Sequence, residues 1–340
     1  MIRSNTDWFE NVPKVELHLH LEGAFPVEAT WELVQKYGGD PTLPDIEALR
    51  QRFVFRDFPH FIETWIWRNQ FLREYEDFTR LSEAVARDLA RQNVRYAEAF
   101  VSPFDYRRHG LKPQELLAAI RAGLSQVPSV EVALVVDLVR DSGPEQAMIT
   151  LHQVDEVTSE GVIGVGIGGS EQSFPPEPFA EVYREARCLG LHTSAHAGEA
   201  AGAASVWGAI RALQVERIGH GTRAEEDPRL VDYLAETQLP LEMCPLSNLR
   251  TGVVRSIDEH PVGRYYRRGL LVTVNSDDPK LFGNSLAEEY QVLVEHHGFS
   301  WADVRQVVLN AVTASWLTPE RKQALLQRIG SDPSWEMGAD

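Results

Sequence analysis

The sequence has little cysteine, and that scarcity restricts the kinds of site it can build. Cys188 and Cys244 are the only two cysteines in 340 residues. Two isolated cysteines exclude a disulfide framework and a Cys-x-x-Cys metal site. No apolar run approaches the length of a membrane span, and the first residues, MIRSNTDWFENVP, contain no secretion signal. We therefore expect a reduced, cytoplasmic protein.

Basic residues are also scarce relative to acidic ones. The chain has 33 Lys and Arg against 50 Asp and Glu, which gives a formal net charge of −17. Such a charge repels phosphate backbones and anionic membrane surfaces. We therefore expect a small-molecule ligand, and neither nucleic acid nor a membrane as a partner. The composition does not indicate an oligomeric state.

Short apolar runs alternate with helical patterns along the chain. Strands that alternate with helices predict parallel β-α-β units, and eight of them predict an α/β fold closed into a (β/α)8 TIM barrel. The hydrophobic fraction of 43% is sufficient for a large core. The predicted strands are 14–20, 94–101, 131–138, 162–168, 191–196, 216–220, 240–244 and 270–276.

The length fits either two domains or one barrel with insertions. No linker, internal repeat or low-complexity segment divides the sequence, so we predict a single domain over residues 1–340. The aromatic-rich segment at about 42–92 is longer than a simple crossover requires. We predict extra helices there, over the mouth of the barrel, and further extra helices at the C-terminus. The tail after about residue 330 is expected to fray.

The stretch PKVELHLHLEG, residues 13–23, alternates strictly between apolar and titratable side chains, which predicts a strand. His18 and His20 share a face, with their Cα atoms about 6.6 Å apart, so both rings can reach one metal ion. The stretch alone fits an exposed edge strand equally well. In a closed barrel, however, the polar face points inward.

Other titratable residues also stand at predicted strand ends, where parallel barrels form their active sites. His196 ends the fifth strand, with Glu199 just beyond it, and His220 ends the sixth. Glu199 taken singly could serve only a helix N-terminus. Asp277 and Asp278 follow the eighth strand, where one could cap a turn, although two adjacent carboxylates favour a cation nearby. His192 is expected to be a hydrogen-bonded core residue.

Gly164, Gly166 and Gly169 formally satisfy the dinucleotide fingerprint G-x-G-x-x-G. The context is wrong for that motif, because the segment leads into a proline-rich loop instead of opening a helix. No acidic residue ends a strand about twenty residues further on, as the fingerprint requires. We therefore interpret these glycines as making room for a flat ligand against the backbone.

Five ordered motifs, ELHLHLEG, HAGE, RIGHGT, EMCPLSN and VNSDDP, resemble the adenosine deaminase family of the amidohydrolase superfamily. The resemblance extends from about residue 13 to 285. It implies that one metal ion is bound by His18, His20, His196 and Asp277. The catalytic residues it implies are Glu199, His220 and Asp277. The substrate-binding residues it implies are His20, Glu22, Gly169 and Asp278.

In the reaction that this family catalyses, Glu199 would give a proton to N1 of a 6-aminopurine, and His220 would orient or deprotonate the attacking water. Asp278 would contact purine N7, and the amide of Gly169 would face N3. Attack at C6 disrupts the aromatic ring, so a carboxylic acid beside N1 lowers the barrier. Three imidazoles and a carboxylate suit Zn²⁺. The fourth predicted strand has no lysine to bridge two metals, so we expect one zinc ion per chain.

The substrate is less narrowly defined than the reaction. Family members that prefer adenosine typically have Asp at the position of Glu22, whereas Glu resembles adenine deaminases and 6-aminodeoxyfutalosine deaminases. The sequence SNLRTGVV is closer to the nucleoside type, and the aromatic insertion could cover a group attached through the sugar. We predict zinc-dependent hydrolytic deamination of a 6-aminopurine nucleoside, adenosine or a 5′-modified adenosine. The alternatives are an adenine deaminase, a hydrolase of another C–N or ester bond, and a non-catalytic nucleoside-binding relative.

Overall fold

The computed structural model describes residues 5–338, and within them eight parallel strands lie side by side in chain order. The predicted (β/α)8 TIM barrel is confirmed, and the ends of each predicted strand are displaced by no more than two residues. The strands are β1 Lys14–His20, β2 Val94–Val101, β3 Glu131–Asp137, β4 Val162–Gly166, β5 His192–Ala197, β6 Arg217–His220, β7 Leu241–Met243 and β8 Val272–Val274.

Helices surround this barrel, and several begin where a side chain caps the first turn, as Asp57, Ser285 and Thr318 do. Within residues 5–338, no helix is both long and apolar enough to cross a membrane. The helices are α1 Asn5–Asn11, α2 Val27–Lys36, α3 Ile46–Arg52, α4 Phe58–Asn69, α5 Tyr75–Arg91, α6 Pro113–Leu124, α7 Gly143–Asp155, α8 Ala180–Cys188, α9 Ala203–Gly208, α10 Pro228–Thr237, α11 Pro245–Arg250, α12 Val262–Arg267, α13 Pro279–Phe282, α14 Leu286–His297, α15 Trp301–Ala314 and α16 Pro319–Gly330.

The barrel closes between the segment after β8 and the end of β1. The backbone N–H of His20 donates to the carbonyl of Asp277 at 2.8 Å, and the N–H of Asp277 donates to the carbonyl of His18 at 3.0 Å. These two bonds form a parallel bridge between Leu19 and Asp277. The same closure therefore fixes the backbone of three predicted metal ligands.

Strand β1 is buried on both faces, and its sequence alternates because one face packs in the apolar core and the other faces the interior of the barrel. Val15, Leu17 and Leu19 lie in the main apolar core, and all three are fully buried. Each such side chain contributes roughly 1.5–3 kcal/mol on burial. His18 and His20 lie on the opposite face, inside the barrel. The predicted inward direction of the polar face is thus confirmed, and the exposed-edge alternative is excluded.

The predicted insertion at about 42–92 divides into two parts. Helices α3 and α4 contribute to a small apolar cluster with α13, formed by Leu43, Leu49, Phe53, Phe61, Leu281 and Phe282. Helix α5 instead packs along α6 and against β2, in the outer ring of the barrel. The extra helices of this segment are therefore α3 and α4, and the predicted insertion does not include α5. Its strongly amphipathic sequence is that of a barrel helix.

The C-terminal helices differ from one another in role. Helix α15 packs on β8 and β1 and covers the point of closure, while α16 packs against α15. The residues that follow α16 do not fray as predicted, because Pro333–Gly338 form a short 3-10 helix. Trp335 donates its indole N–H to the carbonyl of Ile329 at 2.7 Å and contacts the ring of Trp8. The last two residues of the predicted fraying tail, 339–340, lie outside the described residues.

Candidate active site

Four side chains meet at the carboxyl end of the barrel, namely His18, His20, His196 and Asp277. Nε2 of His196 lies 3.1 Å from Nε2 of His18 and 3.0 Å from Nε2 of His20. Oδ1 of Asp277 lies 3.7 Å and 3.5 Å from the same two nitrogens. All four residues are buried. The structure thus brings together the four metal ligands that the motifs implied.

This donor set fits a metal ion better than it fits hydrogen bonding among the side chains. Burial lowers the pKa of both His20 and His196 well below the usual value, so both rings are neutral and each can present an unprotonated nitrogen to a metal. Four ligand atoms bound tetrahedrally at about 2.0–2.1 Å would lie roughly 3.3 Å apart, close to the separations found here. Imidazole nitrogens with one carboxylate suit zinc and similar borderline-soft ions.

Two of the predicted residues have an unusual backbone conformation. His220 has φ of +63° and Asp277 has φ of +65°. Positive φ is uncommon for residues other than glycine and costs of the order of 1–3 kcal/mol at each position. Strain of this kind persists where the surrounding structure holds it, typically at functional sites. Both residues line the same cavity.

Glu199 lies beside the metal-ligand group, in the loop after β5. Its Oε2 is 3.5 Å from Nε2 of His220, and its Oε1 accepts a hydrogen bond from Nδ2 of Asn248 at 3.4 Å. Burial raises the pKa of Glu199 well above its usual value, and the carboxylates of Asp277 and Glu171 raise it further. These surroundings favour the protonated carboxyl group of Glu199.

Asn248, on α11, is the last residue of the motif EMCPLSN, and the family resemblance implied no role for it. Its Oδ1 accepts hydrogen bonds from Thr222 Oγ1 at 2.6 Å and from Nε2 of His260 at 3.1 Å. Nδ1 of His260 accepts from the backbone N–H of Val262, so the proton of this ring is on Nε2. The amide nitrogen of Asn248 therefore faces Glu199 and also Nδ1 of His220, which is 3.3 Å away.

Glu171 is a second residue that the motifs did not assign. Its carboxylate accepts backbone hydrogen bonds at 2.6–3.1 Å from four successive residues, 198–201. The side chain is 3% exposed, so these bonds replace water as its partner. Glu171 therefore fixes the loop that carries Glu199.

A third unassigned residue, Glu242 on β7, lies beneath the metal-ligand group. Its Oε2 is 2.8 Å from Nδ1 of His18. Burial alone would raise the pKa of Glu242, but Arg217 and the hydrogen bond from His18 outweigh burial and hold the pKa below its usual value. An ionised Glu242 accepts the proton on Nδ1 of His18, which leaves Nε2 free to bind a metal.

A cavity of about 300 Å³ opens above these residues. This size is within the range of sites that enclose drug-sized ligands. One wall is apolar and comes largely from α4, with Phe58, Phe61, Ile62, Trp65 and Ile66, completed by Phe104, Val139 and Phe282. The rest of the lining includes the titratable residues His20, His196, Glu199, His220, Asp277 and Asp278. Helix α4, from the inserted segment, thus lines the cavity.

Asp278 and Gly169 lie on the cavity wall, as the resemblance implied. Burial raises the pKa of Asp278 well above its usual value, and the adjacent Asp277 adds to this effect. A Cβ atom at Gly23 would lie 1.8 Å from Oδ1 of Asp278, so only glycine leaves room for this carboxyl group. Gly169 has φ of +101°, which favours glycine.

Glu22 is the one predicted substrate-binding residue that does not line this cavity. It is fully buried, and its Oε1 accepts hydrogen bonds from the backbone N–H of Ser102 at 2.9 Å and from the hydroxyl of Tyr106 at 3.3 Å. Burial raises its pKa to about 7. The side chain of Arg68, on α4, donates to the backbone carbonyl of Glu22 at 2.7 Å. Glu22 thus joins β2 and α4 to the end of β1.

Two other sequence interpretations require correction. A Cβ atom at Gly164 would approach the ring of Trp316, and one at Gly166 the ring of Phe100, both within 3 Å. The flat group against these two glycines is therefore a protein side chain, and only Gly169 of the three lines the cavity. His192 is hydrogen-bonded as expected, to Glu216 at 2.7 Å, but its side chain is 40% exposed. It begins β5 and lies outside the core.

Comparison with known proteins gives a consistent set of relatives. The family model described as Adenosine deaminase matches residues 13–332. The chain is 39% identical to an adenine deaminase of Bordetella avium over 315 residues, covering 92% of this chain and 99% of the relative. It is 37% identical to an aminodeoxyfutalosine deaminase of Streptomyces coelicolor over 324 residues, covering 94% and 84%. Among solved structures, an amidohydrolase of Burkholderia ambifaria with bound zinc superposes with a TM-score of 0.90 at 28% identity, covering 100% of this chain and 95% of that one.

Proposed function

The chain belongs to the adenosine deaminase family, and from this premise we propose that it hydrolyses the 6-amino group of a purine nucleoside, releasing ammonia and the 6-oxopurine. The reaction class is that of a hydrolase acting on a C–N bond. The observation that carries the proposal is the placement of Glu199, as a buried carboxylic acid, beside the four-residue metal-ligand group. The expected substrate is adenosine or a 5′-modified adenosine such as 6-aminodeoxyfutalosine.

We propose that His18, His20, His196 and Asp277 hold one zinc ion per chain. Zinc bound there would lower the pKa of a coordinated water to about 7 and so supply the nucleophile at neutral pH. The Oδ2 atom of Asp277 accepts a hydrogen bond from Ser247 Oγ at 2.5 Å, and Oδ1 faces the histidines. Ser247 therefore orients Asp277 with one oxygen free for the metal. The bound zinc in the Burkholderia relative supports the choice of metal.

Glu199 is proposed to donate its proton to purine N1 as C6 is attacked. Its raised pKa keeps the proton on the carboxyl group at neutral pH, and Asn248 and Glu171 fix its position. His220 is buried and neutral, because burial and the neighbouring His18 and His20 lower its pKa. The amide of Asn248 donates to Nδ1, so the remaining proton of the ring is on Nε2. This arrangement favours a role for His220 as a hydrogen-bond donor that orients the attacking water. It is less suited to a role as the base that deprotonates that water.

Asp278 and Gly169 are proposed to position the purine ring. Purine N7 is an acceptor, and Asp278 can donate to it because its raised pKa keeps the carboxyl protonated. Its Oδ1 is buried without a hydrogen-bond partner among the described residues, so it is available to a ligand. The amide of Gly169 would donate to N3. His20, which also lines the cavity, would contact the substrate as well.

A free-base adenine deaminase is the second candidate, and the 39% identity to the Bordetella relative favours it. The apolar wall from α4 favours a 5′-modified adenosine, because adenine carries no 5′ group for this wall to cover. Hydrolysis of another C–N or ester bond could use the same metal-ligand group and the same acid, so the substrate assays have to separate it from deamination. A non-catalytic binding protein would have no need of both metal ligands and a protonated Glu199.

The test is ammonia release measured side by side on adenine, adenosine, 5′-modified adenosines and 6-aminodeoxyfutalosine, with zinc content determined for the same preparation. We expect turnover of a nucleoside, and its loss in Glu199→Gln and His18→Ala. Near-normal turnover by Glu199→Gln would show that the proton donor is wrong. Preference for adenine would establish the second candidate. Hydrolysis of a lactone or an amide, assayed in parallel by product formation, would establish the third. Zinc near one per chain without turnover of any aminopurine would indicate a binding protein.

A further inference from the structure

The proposed function leaves one edge of the purine without a partner, and the following inference rests on that function. Glu199 follows β5, Gly169 follows β4 and Asp278 follows β8. With N1, N3 and N7 facing these three residues, N9 lies between the N3 and N7 sides of the ring. It therefore faces the ends of β1, β2 and β3, where a substituent on N9 would lie.

Asp137, the last residue of β3, is a buried carboxylate on this arc. It lines the cavity and is 5% exposed. Its Oδ1 accepts backbone hydrogen bonds from Gly168 at 2.7 Å and from Val139 at 3.1 Å. Its Oδ2 has only the hydroxyl of Ser102, at 3.5 Å, which is too long for a strong bond. Oδ1 is thus fully hydrogen-bonded within the protein, whereas Oδ2 has only one weak hydrogen bond.

The position of Oδ2 brings it within reach of a ligand at the metal-ligand group. A Cβ atom at Gly168 would lie 2.7 Å from Oδ2 of Asp137 and 3.5 Å from Cε1 of His196. The carboxylate and the His196 ring therefore border the same glycine. Because Gly168 has no side chain, nothing from that residue separates Oδ2 from the cavity.

We propose that Asp137 accepts a hydrogen bond from a ribose hydroxyl of the substrate, which makes it a determinant of nucleoside specificity. Glu22 is less well placed for this contact, because it does not line the cavity and its Oε1 is already bonded to Ser102 and Tyr106, although its Oε2 has no hydrogen-bond partner among the described residues. A buried acceptor with one unused oxygen rejects a ligand that lacks the matching hydroxyl. Ser102, beside Oδ2, can share the same hydroxyl or its neighbour.

The experiment compares kcat/KM for adenosine, 2′-deoxyadenosine and 3′-deoxyadenosine in the wild-type enzyme and in Asp137→Asn. The side-chain oxygen of asparagine can still accept from Gly168 and Val139, so the loop is kept while the charged acceptor is lost. A hydrogen bond to a charged group exceeds a neutral one by roughly tenfold in affinity. We expect the wild-type enzyme to prefer adenosine over one of the deoxynucleosides by at least about tenfold, and Asp137→Asn to reduce this ratio to about threefold or less.

Asp141→Asn is the matched control. Asp141 lies on the same side of the cavity, but it is exposed and its Oδ2 already accepts from the backbone N–H of Ser170 at 2.8 Å. Its substitution should leave the adenosine-to-deoxyadenosine ratio at the wild-type value. The assays are run at about pH 8, above the Asp137 pKa of about 6, which burial has raised.

Two results would overturn the inference. One is a wild-type enzyme that treats the three nucleosides alike, and the other is an Asp137→Asn enzyme that is slower on all three by the same factor. The second result would mean that Asp137 only shapes the loop. In both cases ammonia is still released, so the proposed deamination would stand. Absence of release from any aminopurine would instead refute the proposed function itself.

Discussion

Nε of Arg217 lies 2.6 Å from Oε1 of Glu242, in the interior of the barrel where both side chains are at most 1% exposed. A second carboxylate, Glu98, lies 2.5 Å from Nη1 of the same guanidinium. The guanidinium also stacks over the ring of Trp316. Because Arg217 keeps Glu242 ionised, Glu242 can hold the Nδ1 proton of His18. The charge network below the site thus determines which nitrogen of His18 faces the metal.

The first prediction concerns metal affinity. Glu242→Gln removes the charged acceptor for Nδ1 of His18 while keeping the volume of the side chain. Substitution of such a partner typically weakens metal binding by 10–100-fold, and we expect about this loss. Competition with a chromophoric zinc chelator measures it directly.

The control for metal affinity is Glu216→Gln, because Glu216 bonds Nδ1 of His192 in the same way at an exposed position. Its zinc affinity should equal that of the wild-type protein. If Glu242→Gln bound zinc as tightly as this control does, Glu242 would have no influence on the metal through His18.

The second prediction concerns stability. Arg217→Met leaves Glu98 and Glu242 buried without their cation, and removing one partner of a buried ion pair typically costs about 3–5 kcal/mol. We expect the free energy of unfolding in urea to fall by roughly this amount. Arg321→Met, which removes an exposed pair with Glu131, should change it by less than about 1 kcal/mol. Equal losses in the two variants would mean that burial of the network has no energetic consequence.

The third prediction concerns Asn248, which contacts Glu199 and His220 and is held by Thr222 and His260. Asn248→Ala should lower kcat by about 10–100-fold, because the proton donor and His220 lose their common partner. KM should change little, since Asn248 is not among the residues that line the cavity. Steady-state kinetics on the best substrate measure both quantities.

Asn310→Ala serves as the comparison for Asn248→Ala. Asn310, on the outer helix α15, also donates a side-chain hydrogen bond, to the carbonyl of Val272 on β8, but it does not line the cavity. Its kcat should match that of the wild-type enzyme. A rise in KM for Asn248→Ala with kcat unchanged would assign Asn248 to binding and contradict a positioning role.

Much of the fold and the ligand group could be predicted because their signals are local. The alternation in β1 and the order of short apolar runs follow directly from the two-residue repeat of a strand. The four residues of the metal-ligand group stood out because they lie at or near strand ends, and the family resemblance implied them as ligands. Glu242 and Glu98 left a weaker signal, single carboxylates within otherwise apolar strands, that could have indicated an internal charge network.

Other features depend on contacts between distant segments and leave no local signal. The capping of residues 198–201 by Glu171 depends on how the loops after β4 and β5 meet. The direction of the Glu22 carboxyl group depends on Ser102 and Tyr106, 80 or more residues away. A motif could place Glu22 near the site, but could not show that its side chain bonds to Ser102 and Tyr106 and does not line the cavity.

The last prediction concerns pH-dependent stability and Glu289, a fully buried residue of α14. Its carboxyl group accepts hydrogen bonds from the backbone N–H of Leu246 at 3.1 Å and from Nδ2 of Asn284 at 2.7 Å. Burial nevertheless raises its pKa well above the usual value, and the carboxylates of Glu16 and Asp277 contribute to this rise. In the unfolded chain a glutamate titrates at about 4.3.

The sign of the effect follows from these two states. Between the unfolded and the native pKa, the native protein holds a proton that the unfolded chain has released. The free energy of unfolding therefore falls as pH rises through this range, by about 1.4 kcal/mol for each pH unit. Glu289→Gln removes this contribution. Its stability should decrease less than that of the wild-type protein between about pH 5.5 and about pH 8, as measured by urea denaturation at both values.

Glu288→Gln is the matched control for Glu289→Gln, because Glu288 is the exposed neighbour on the same helix and keeps its contact with Ser285. Its pH dependence should be that of the wild-type protein, since Glu288 is exposed and folding removes little water from its carboxyl group. If Glu289→Gln and Glu288→Gln lost the same stability between the two pH values, the native Glu289 would already be ionised at the lower one. The hydrogen bonds from Leu246 and Asn284 would then outweigh the cost of burying the charge.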